Sequence, residues 1–595
     1  MACAASLAAC GGQQSFGGAT PPGSSMQAGA QSLRGPLSPT RSALKLRSII
    51  AKSGMGPDHG AGYPVTPYPP VKVPAEAPCV DQLFTPNTPP LQSGQLPVGD
   101  FSDYSDHPFN YAPPSGCPGP YNKIVFKMHF RVTAGVQYDR TGAVWIGGTN
   151  VFFGTTAEPG SSSSPQWNVE RDVTEYAPIF ANASTGQASV YNIVNSQYTG
   201  KIFGTAELDF YPATLEFPPA QTADAVYPLS ASSTGGYVFL NGPSNQMTGT
   251  FTFPQNVEAA YLDLFLQSQS GDEFWYTCFP NDLAQKLNNC GSTAFREGEV
   301  TIDGQPAGVA PVYPWIYTGG IDPYLWVPLP GAETLNFKPY RVNLTPFAAM
   351  LDDGNPHTVA VSVFNADGYF SANGALLIYE DHGSSHVTGG LIRNGTALDP
   401  AQTVVEHVKF TQSGDAHGTV DVSATHPVSL KGYVITSQGR VDTEVTQRVA
   451  FSNAQVINDT STQFLQNIVQ NTIVESHTVT TQPSGTHRSH SRWTYPLTLD
   501  YNYQVVGSSS ATQTVSVDQN KRGDGLDEGI EPVSFIALDQ VRSSDVLTFT
   551  ASGYSPSNGK SSHQYATHNY DGRHCWDKTV KSRDYVVTNT TQGCQ

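Results

Sequence analysis

Arg140-Thr141-Gly142-Ala143-Val144-Trp145-Ile146-Gly147-Gly148 returns later in the chain as Arg296-Glu297-Gly298-Glu299-Val300-Thr301-Ile302-Asp303-Gly304, with the shared spacing R-x-G-x-V-x-I-x-G. Apolar residues at every second position that end on glycine describe a strand with one buried face running into a turn. A related segment follows each copy, Val169-Glu170-Arg171-Asp172-Val173-Thr174-Glu175-Tyr176 after the first and Tyr340-Arg341-Val342-Asn343-Leu344-Thr345-Pro346-Phe347 after the second. Each is followed by a further strand ending in Asn, at 190–195 and 359–365. Three elements repeated in one order predict two similar β-sandwich domains side by side, over residues 76–215 and 216–385.

Working outward, short alternating runs such as Ile124-Val125-Phe126-Lys127-Met128-His129-Phe130 alternate with Gly, Pro and Asn, and the chain reads as all-β. A single short helix is expected around Thr345 to Leu351. Past residue 386 the texture becomes long Val/Thr/Ser alternation, as in Gly418-Thr419-Val420-Asp421-Val422-Ser423, which predicts a third β-domain over 386–595. Residues 1–75 read as a leader and a flexible Gly/Ser/Pro tether. Within the leader, Leu7-Ala8-Ala9-Cys10 resembles a lipoprotein cleavage box, so Cys10 is a lipidation candidate in an exported, periplasmic or extracellular protein.

The 595 residues exceed what one core serves, and only 13% of them are charged. A net charge of -18 repels phosphates, which argues against nucleic acid and anionic membranes as partners and leaves membrane attachment to an N-terminal lipid alone. Beyond Cys3 and Cys10, six cysteines fall into local pairs, Cys79 with Cys117, Cys278 with Cys290 and Cys575 with Cys594, an arrangement that favours disulfides. None has the spacing of zinc ligands. The run His487-Arg488-Ser489-His490-Ser491-Arg492 lacks a third ligand at suitable spacing and reads as a solvated loop, and Asp518 to Glu528 fails the calcium-loop pattern. No metal or cofactor is expected.

Aromatic faces beside acids and amides suit neutral polar rings such as sugars. Gly271-Asp272-Glu273-Phe274-Trp275-Tyr276 and Gly319-Gly320-Ile321-Asp322-Pro323-Tyr324-Leu325-Trp326 have that character, as rims of a pocket or as core. Tyr138-Asp139-Arg140 and Phe295-Arg296-Glu297 head the two repeated strands. Neighbours on an extended strand face opposite ways, so these pairs are either surface salt bridges or parts of a site where the strand ends.

In order along the chain, Tyr138 to Gly148, Thr156-Ala157-Glu158-Pro159, Trp167 to Tyr176, Tyr198-Thr199-Gly200, Asp272 to Tyr276, Ala294-Phe295-Arg296-Glu297 and Ile316-Tyr317-Thr318-Gly319-Gly320 resemble the PNGase A family, over about Cys79 to His382. The resemblance implies an exported, bacterial-type peptide:N-glycanase. Such an enzyme hydrolyses the amide between the innermost N-acetylglucosamine and asparagine of an N-glycopeptide or glycoprotein. It also implies paired jelly-roll domains with the site between them, as in the distant relative PNGase F, whose catalytic Asp stands in an Asp-Arg pair similar to Asp139-Arg140. Asp139 is then the first catalytic candidate, with Glu297 and Glu273 as candidates for the second acid. Arg140, Arg296, Asp272, Trp275 and Trp326 are the substrate-binding candidates. A glycosidase that cuts between sugars and a non-catalytic carbohydrate-binding protein are the alternatives.

Overall fold

The computed structural model describes residues 63–528, 533–569 and 575–594. The leader, with the lipidation candidate Cys10, lies outside the described residues, as does the first part of the tether.

The first sandwich has strands β1 Cys79–Phe84, β2 Asp100–Phe101, β3 Asp106–Tyr111, β4 Tyr121–Val132, β5 Thr141–Ile146, β6 Thr149–Thr155, β7 Gln166–Asp172, β8 Ser184–Val190 and β9 Ile202–Pro212. The second has β10 Ala225–Leu229, β11 Val238–Leu240, β12 Met247–Phe251, β13 Val257–Gln269, β14 Glu297–Ile302, β15 Gln305–Pro311, β16 Tyr340–Asn343, β17 His357–Phe364 and β18 Tyr369–Glu380. One sheet of the first sandwich runs β1-β9-β4-β7 and the other β3-β8-β5-β6; in the second they run β10-β18-β13-β16 and β12-β17-β14-β15. Each strand of one half has its counterpart nine strands later, and the strand order is that of a jelly roll. The all-β, duplicated architecture expected from the repeat is borne out.

The repeated motif can now be read physically. Its Val and Ile are buried in both copies, Val144 and Ile146 in one and Val300 and Ile302 in the other. Its first Gly is closely covered in both copies: a Cβ on Gly142 would stand 3.2 Å from Val190, and one on Gly298 2.5 Å from Leu266. Its end is a two-residue hairpin turn with positive φ at both positions, Gly147 and Gly148 in one copy, Asp303 and Gly304 in the other. A bulge follows Val144 and recurs after Val300. The third element of the first copy is displaced from its predicted place: the strand is Ser184–Val190, and Val190 and Val363 occupy equivalent positions opposite Gly142 and Gly298.

Beyond Thr388 a single twelve-stranded antiparallel sheet is built mostly from very long strands, such as Ala416–Thr436 and Gly439–Asp459. The run at His487 is part of one of these, Gly485–Thr494, rather than a loop; its alternating Ser, His and Thr decorate an exposed strand, and His487 pairs with Asp527. The inner face of the sheet covers irregular, buried backbone of the second sandwich. Such backbone has no strand partner to satisfy it. Side-chain amides take that role: Asn453 donates to the Tyr276 carbonyl at 2.9 Å, Gln466 to Thr277 at 3.0 Å and Gln455 to Cys278 at 3.1 Å. Gln519 donates to the Pro314 carbonyl at 2.7 Å and accepts from the Ala332 N–H at 2.9 Å.

Part of the predicted tether is a packed strap. Val65 N–H donates to the Pro328 carbonyl, the Tyr68 hydroxyl to Asp539, and Trp576 Nε1 to the Pro67 carbonyl, so residues 63–71 bind the third sheet to the sandwiches. Prolines keep this stretch extended, and its few polar groups find partners. Disulfides join Cys79 to Cys117, Cys278 to Cys290 and Cys575 to Cys594, as the local pairing predicted, which fits an oxidising compartment outside the cytoplasm.

Candidate functional site

Three segments meet where the two sandwiches and the third sheet come together. The first is 137–140, irregular backbone that ends at β5. Because the strand has not begun, Asp139 and Arg140 escape the alternation that would send them to opposite faces. The Arg140 N–H donates to Thr156 Oγ1 at 2.8 Å, and the Thr156 N–H donates to the Arg140 carbonyl at 2.9 Å. This ties the first segment to the second, 156–159, which leaves β6. There the Asp139 N–H donates to Glu158 Oε1 at 3.3 Å. The third segment, 317–322, comes from the second sandwich, and Thr318 Oγ1 donates to the Thr156 carbonyl at 2.6 Å.

Gly319 lies directly over the two acids. A Cβ placed on it would stand 2.3 Å from Glu158 Oε1 and 2.7 Å from Asp139 Oδ1, so both carboxyls crowd against this glycine and lie close to each other. Asp139 is 2% exposed and Glu158 5%. Burial first, and then the charge of Asp139, hold the Glu158 carboxyl well above the usual carboxylate range, with Asp322 adding to the effect and Arg140 opposing it. The Glu158 carboxyl is thereby held toward its protonated form beside a second buried carboxyl.

Arg140 is 3% exposed. Its Nη2 donates to Gln137 Oε1 at 2.7 Å, and Gln137 is fixed by donating to the carbonyls of Ile193 and Gly200. Its Nε and Nη1 are buried and have no hydrogen-bond partner among the described residues. A buried guanidinium with two unused donors carries a desolvation cost that an oxygen ligand would relieve.

Other residues expected at the site are placed elsewhere. Arg296, at the position equivalent to Arg140, donates from Nε to Asp272 Oδ1 at 2.7 Å, from Nη1 to the carbonyls of Ser292, Thr293 and Phe295, and from Nη2 to Gly291. Asp272 also accepts from the N–H groups of Asp367 and Gly368. The two residues form a saturated internal clamp. Glu297 accepts from His426 Nδ1 at 2.6 Å, facing the third sheet rather than the carboxyl pair. Trp275 packs on Phe451, and Trp326 donates its Nε1 to the Gly320 carbonyl; both are 1% exposed and belong to the core beneath the loop. Glu273 is 2% exposed, next to Phe274, whose ring lies against Gly320. Glu158 was not among the residues singled out by sequence, although Thr156-Ala157-Glu158-Pro159 carried part of the resemblance. An acid just past a hairpin strand gives no periodic signal.

Two jelly rolls thus meet at a junction that holds a buried carboxyl pair and a buried guanidinium with two unmatched donors, the candidate site of a β-sandwich protein. Residues 97–398 match the family of Peptide N-acetyl-beta-D-glucosaminyl asparaginase amidase A, and the chain belongs to that family. The chain is 27% identical over 544 residues to Peptide-N4-(N-acetyl-beta-glucosaminyl)asparagine amidase A of Prunus dulcis, covering 87% of this chain and 90% of that protein. It is also similar to the solved structure of PNGF-II, at 13% identity and TM-score 0.35, over 51% of this chain and 66% of that one. PNGase F, a glycosylasparaginase from Flavobacterium meningosepticum, matches at 11% identity and TM-score 0.32, over 51% of this chain and 96% of that one. The resemblance drawn from the ordered motifs is borne out by the family match.

Proposed function

We propose that this protein hydrolyses the amide joining the innermost N-acetylglucosamine to asparagine in N-glycopeptides or glycoproteins, with Asp139 as base and Glu158 as acid. The observation that carries the reading is the Asp139–Glu158 pair, buried beside the two unpaired donors of Arg140. Asp139 takes a proton from water as its oxygen adds to the amide carbon. Arg140 Nε and Nη1 donate to the carbonyl oxygen as it becomes an oxyanion, in surroundings shielded from bulk solvent. Glu158 gives its proton to the departing nitrogen, the C–N bond breaks, and asparagine becomes aspartate while the glycan leaves as a glycosylamine. Every proton has a named origin, and Glu273, on the adjoining turn, is the next acid to test. Export to the periplasm or outside the cell, with a lipid on Cys10, completes the reading.

Digestion of a defined N-glycopeptide, read by mass spectrometry, tests it. The expected products are the released glycan and a peptide carrying Asp in place of the glycosylated Asn. A peptide still bearing its innermost sugar would mean cleavage between sugars, and an intact substrate would mean binding without catalysis; either overturns the proposal.

A further inference from the structure

The loop that covers the carboxyl pair is held in an unfavourable conformation from outside its own domain. Ile321, two residues after Gly319, has φ of 65°, in a region that β-branched side chains avoid and that persists only when surroundings enforce it. Asp322, the next residue, is anchored on three sides. Its Oδ1 accepts from the Tyr324 N–H at 2.9 Å, and its Oδ2 accepts from Gln513 Nε2 on the third sheet at 2.9 Å. The third partner is the carboxyl of Asp545, also on the third sheet.

Asp545 belongs to the strand Val533–Thr550 and is skipped by the ladder to the next strand, so it sits at a bulge, a device that re-aims a side chain. It is 2% exposed, and apart from Asp322 neither of its oxygens has a hydrogen-bond partner among the described residues. Two carboxyls in contact inside a protein cannot both be ionised. Asp322 faces two donors and Asp545 none, so the charge belongs on Asp322 and the shared proton on Asp545. The other titratable groups facing the pair are Glu158 from the first sandwich, Tyr324 of the loop itself, and Tyr554 and Tyr585 from the sheet, with Asp584 beside Tyr585; all of them are acids.

We infer that Asp545 is a positioning residue: its protonated carboxyl donates to Asp322 and so holds the Gly319–Asp322 loop over Asp139 and Glu158. The inference rests on the function proposed above and gives the third sheet a part in it. Burial and the neighbouring Asp322 favour the protonated form of Asp545 well past neutrality, and loss of that proton releases the latch at alkaline pH.

Two variants separate this from a general packing role. Asp545→Asn keeps a donor at every pH, whereas Asp545→Ala has none. Expected for Asp545→Asn is kcat within about threefold of wild type; for Asp545→Ala, kcat lower by at least about tenfold with KM little changed. Hydrogen exchange of peptides covering residues 316–326 should quicken at least about tenfold in Asp545→Ala and stay at the wild-type rate in Asp545→Asn. Wild-type kcat in Asp545→Ala, or Asp545→Asn as slow as Asp545→Ala, overturns the inference. Should the wild type release no glycan at all, the proposed function fails separately, and exchange alone decides the latch: an unchanged rate in Asp545→Ala refutes it.

Discussion

Gly319 approaches Glu158 so closely that a single added methyl carbon would stand 2.3 Å from the carboxyl oxygen. No relaxed structure tolerates that separation, so the loop or the acid must move. Gly319→Ala should lower turnover by about 10²-fold, the effect of misplacing catalytic groups by roughly an ångström. Comparison of glycan release with thermal stability checks this, since the damage should appear mainly in kcat.

Asp139→Asn and Glu158→Gln keep size and most hydrogen bonding but remove the proton chemistry. Each should cost at least about 10²-fold in turnover. Glycopeptide binding, measured by calorimetry, should persist. An Asp139→Asn enzyme with wild-type turnover would reduce the pair to a structural contact.

The raised carboxyl of Glu158 predicts a pH dependence with a definite sign. The unfolded chain releases this proton near the ordinary value of 4.5, while the folded protein keeps it to higher pH. Its stabilising effect is thus fully present below that ordinary value and is lost as pH rises toward the folded value. Melting temperature should fall from about pH 5 upward in the wild type and less steeply in Glu158→Gln. Turnover should decline over the same direction as the proton donor ionises.

Glu297 should prove structural. Both ring nitrogens of His426 face acceptors, Glu297 Oε2 at 2.6 Å and the Ala397 carbonyl at 2.8 Å, which suits an imidazolium donating twice. Burial is the largest single effect and lowers the His426 pKa, but the hydrogen bond to Glu297, the charge of Glu297, the Ala397 carbonyl and Glu299 together outweigh it, and the pKa ends raised. The stability it confers is present below the ordinary histidine value of 6.5 and lost as pH climbs through the raised one. His426→Ala leaves a buried acid without its cation and should destabilise by about 3–5 kcal/mol in denaturant titrations. Glu297→Gln should leave kcat near that of the wild type.

Gln519 bridges two buried backbone groups that no strand reaches. Gln519→Ala strands the Pro314 carbonyl and the Ala332 N–H, each costing about 1–3 kcal/mol. Equilibrium unfolding at neutral pH checks the loss, and Gln519→Glu, which accepts from Ala332 but cannot donate to Pro314, should fall between.

The repeated strand was legible because period-two alternation and a glycine turn are local properties. Its Val144, Ile146, Gly147 and Gly148 need only their neighbours to be interpreted. Asp139 was singled out through its place at the head of that strand and its likeness to the Asp-Arg pair of PNGase F. Glu158, Asp322 and Asp545 were not found as a group because they come from three segments brought together only by folding, and none lies in a periodic pattern. Arg296 misled for a related reason: sequence position equated it with Arg140, while its hydrogen bonds depend on the irregular carbonyls of 291–295. Trp275 and Trp326 misled because aromatic residues beside acids look the same in a groove and in a core until burial is known.

The paired arginines let one half of the molecule serve as a control for the other. In the second half, Nε meets a carboxylate and Nη1 meets main-chain carbonyls, all supplied by the protein itself. In the first half the same two nitrogens have no hydrogen-bond partner among the described residues. One guanidinium is thus masonry, while its twin, under the proposed function, is the receptor, and the oxygens gathered around Arg296 show the kind of atom that would suit Arg140.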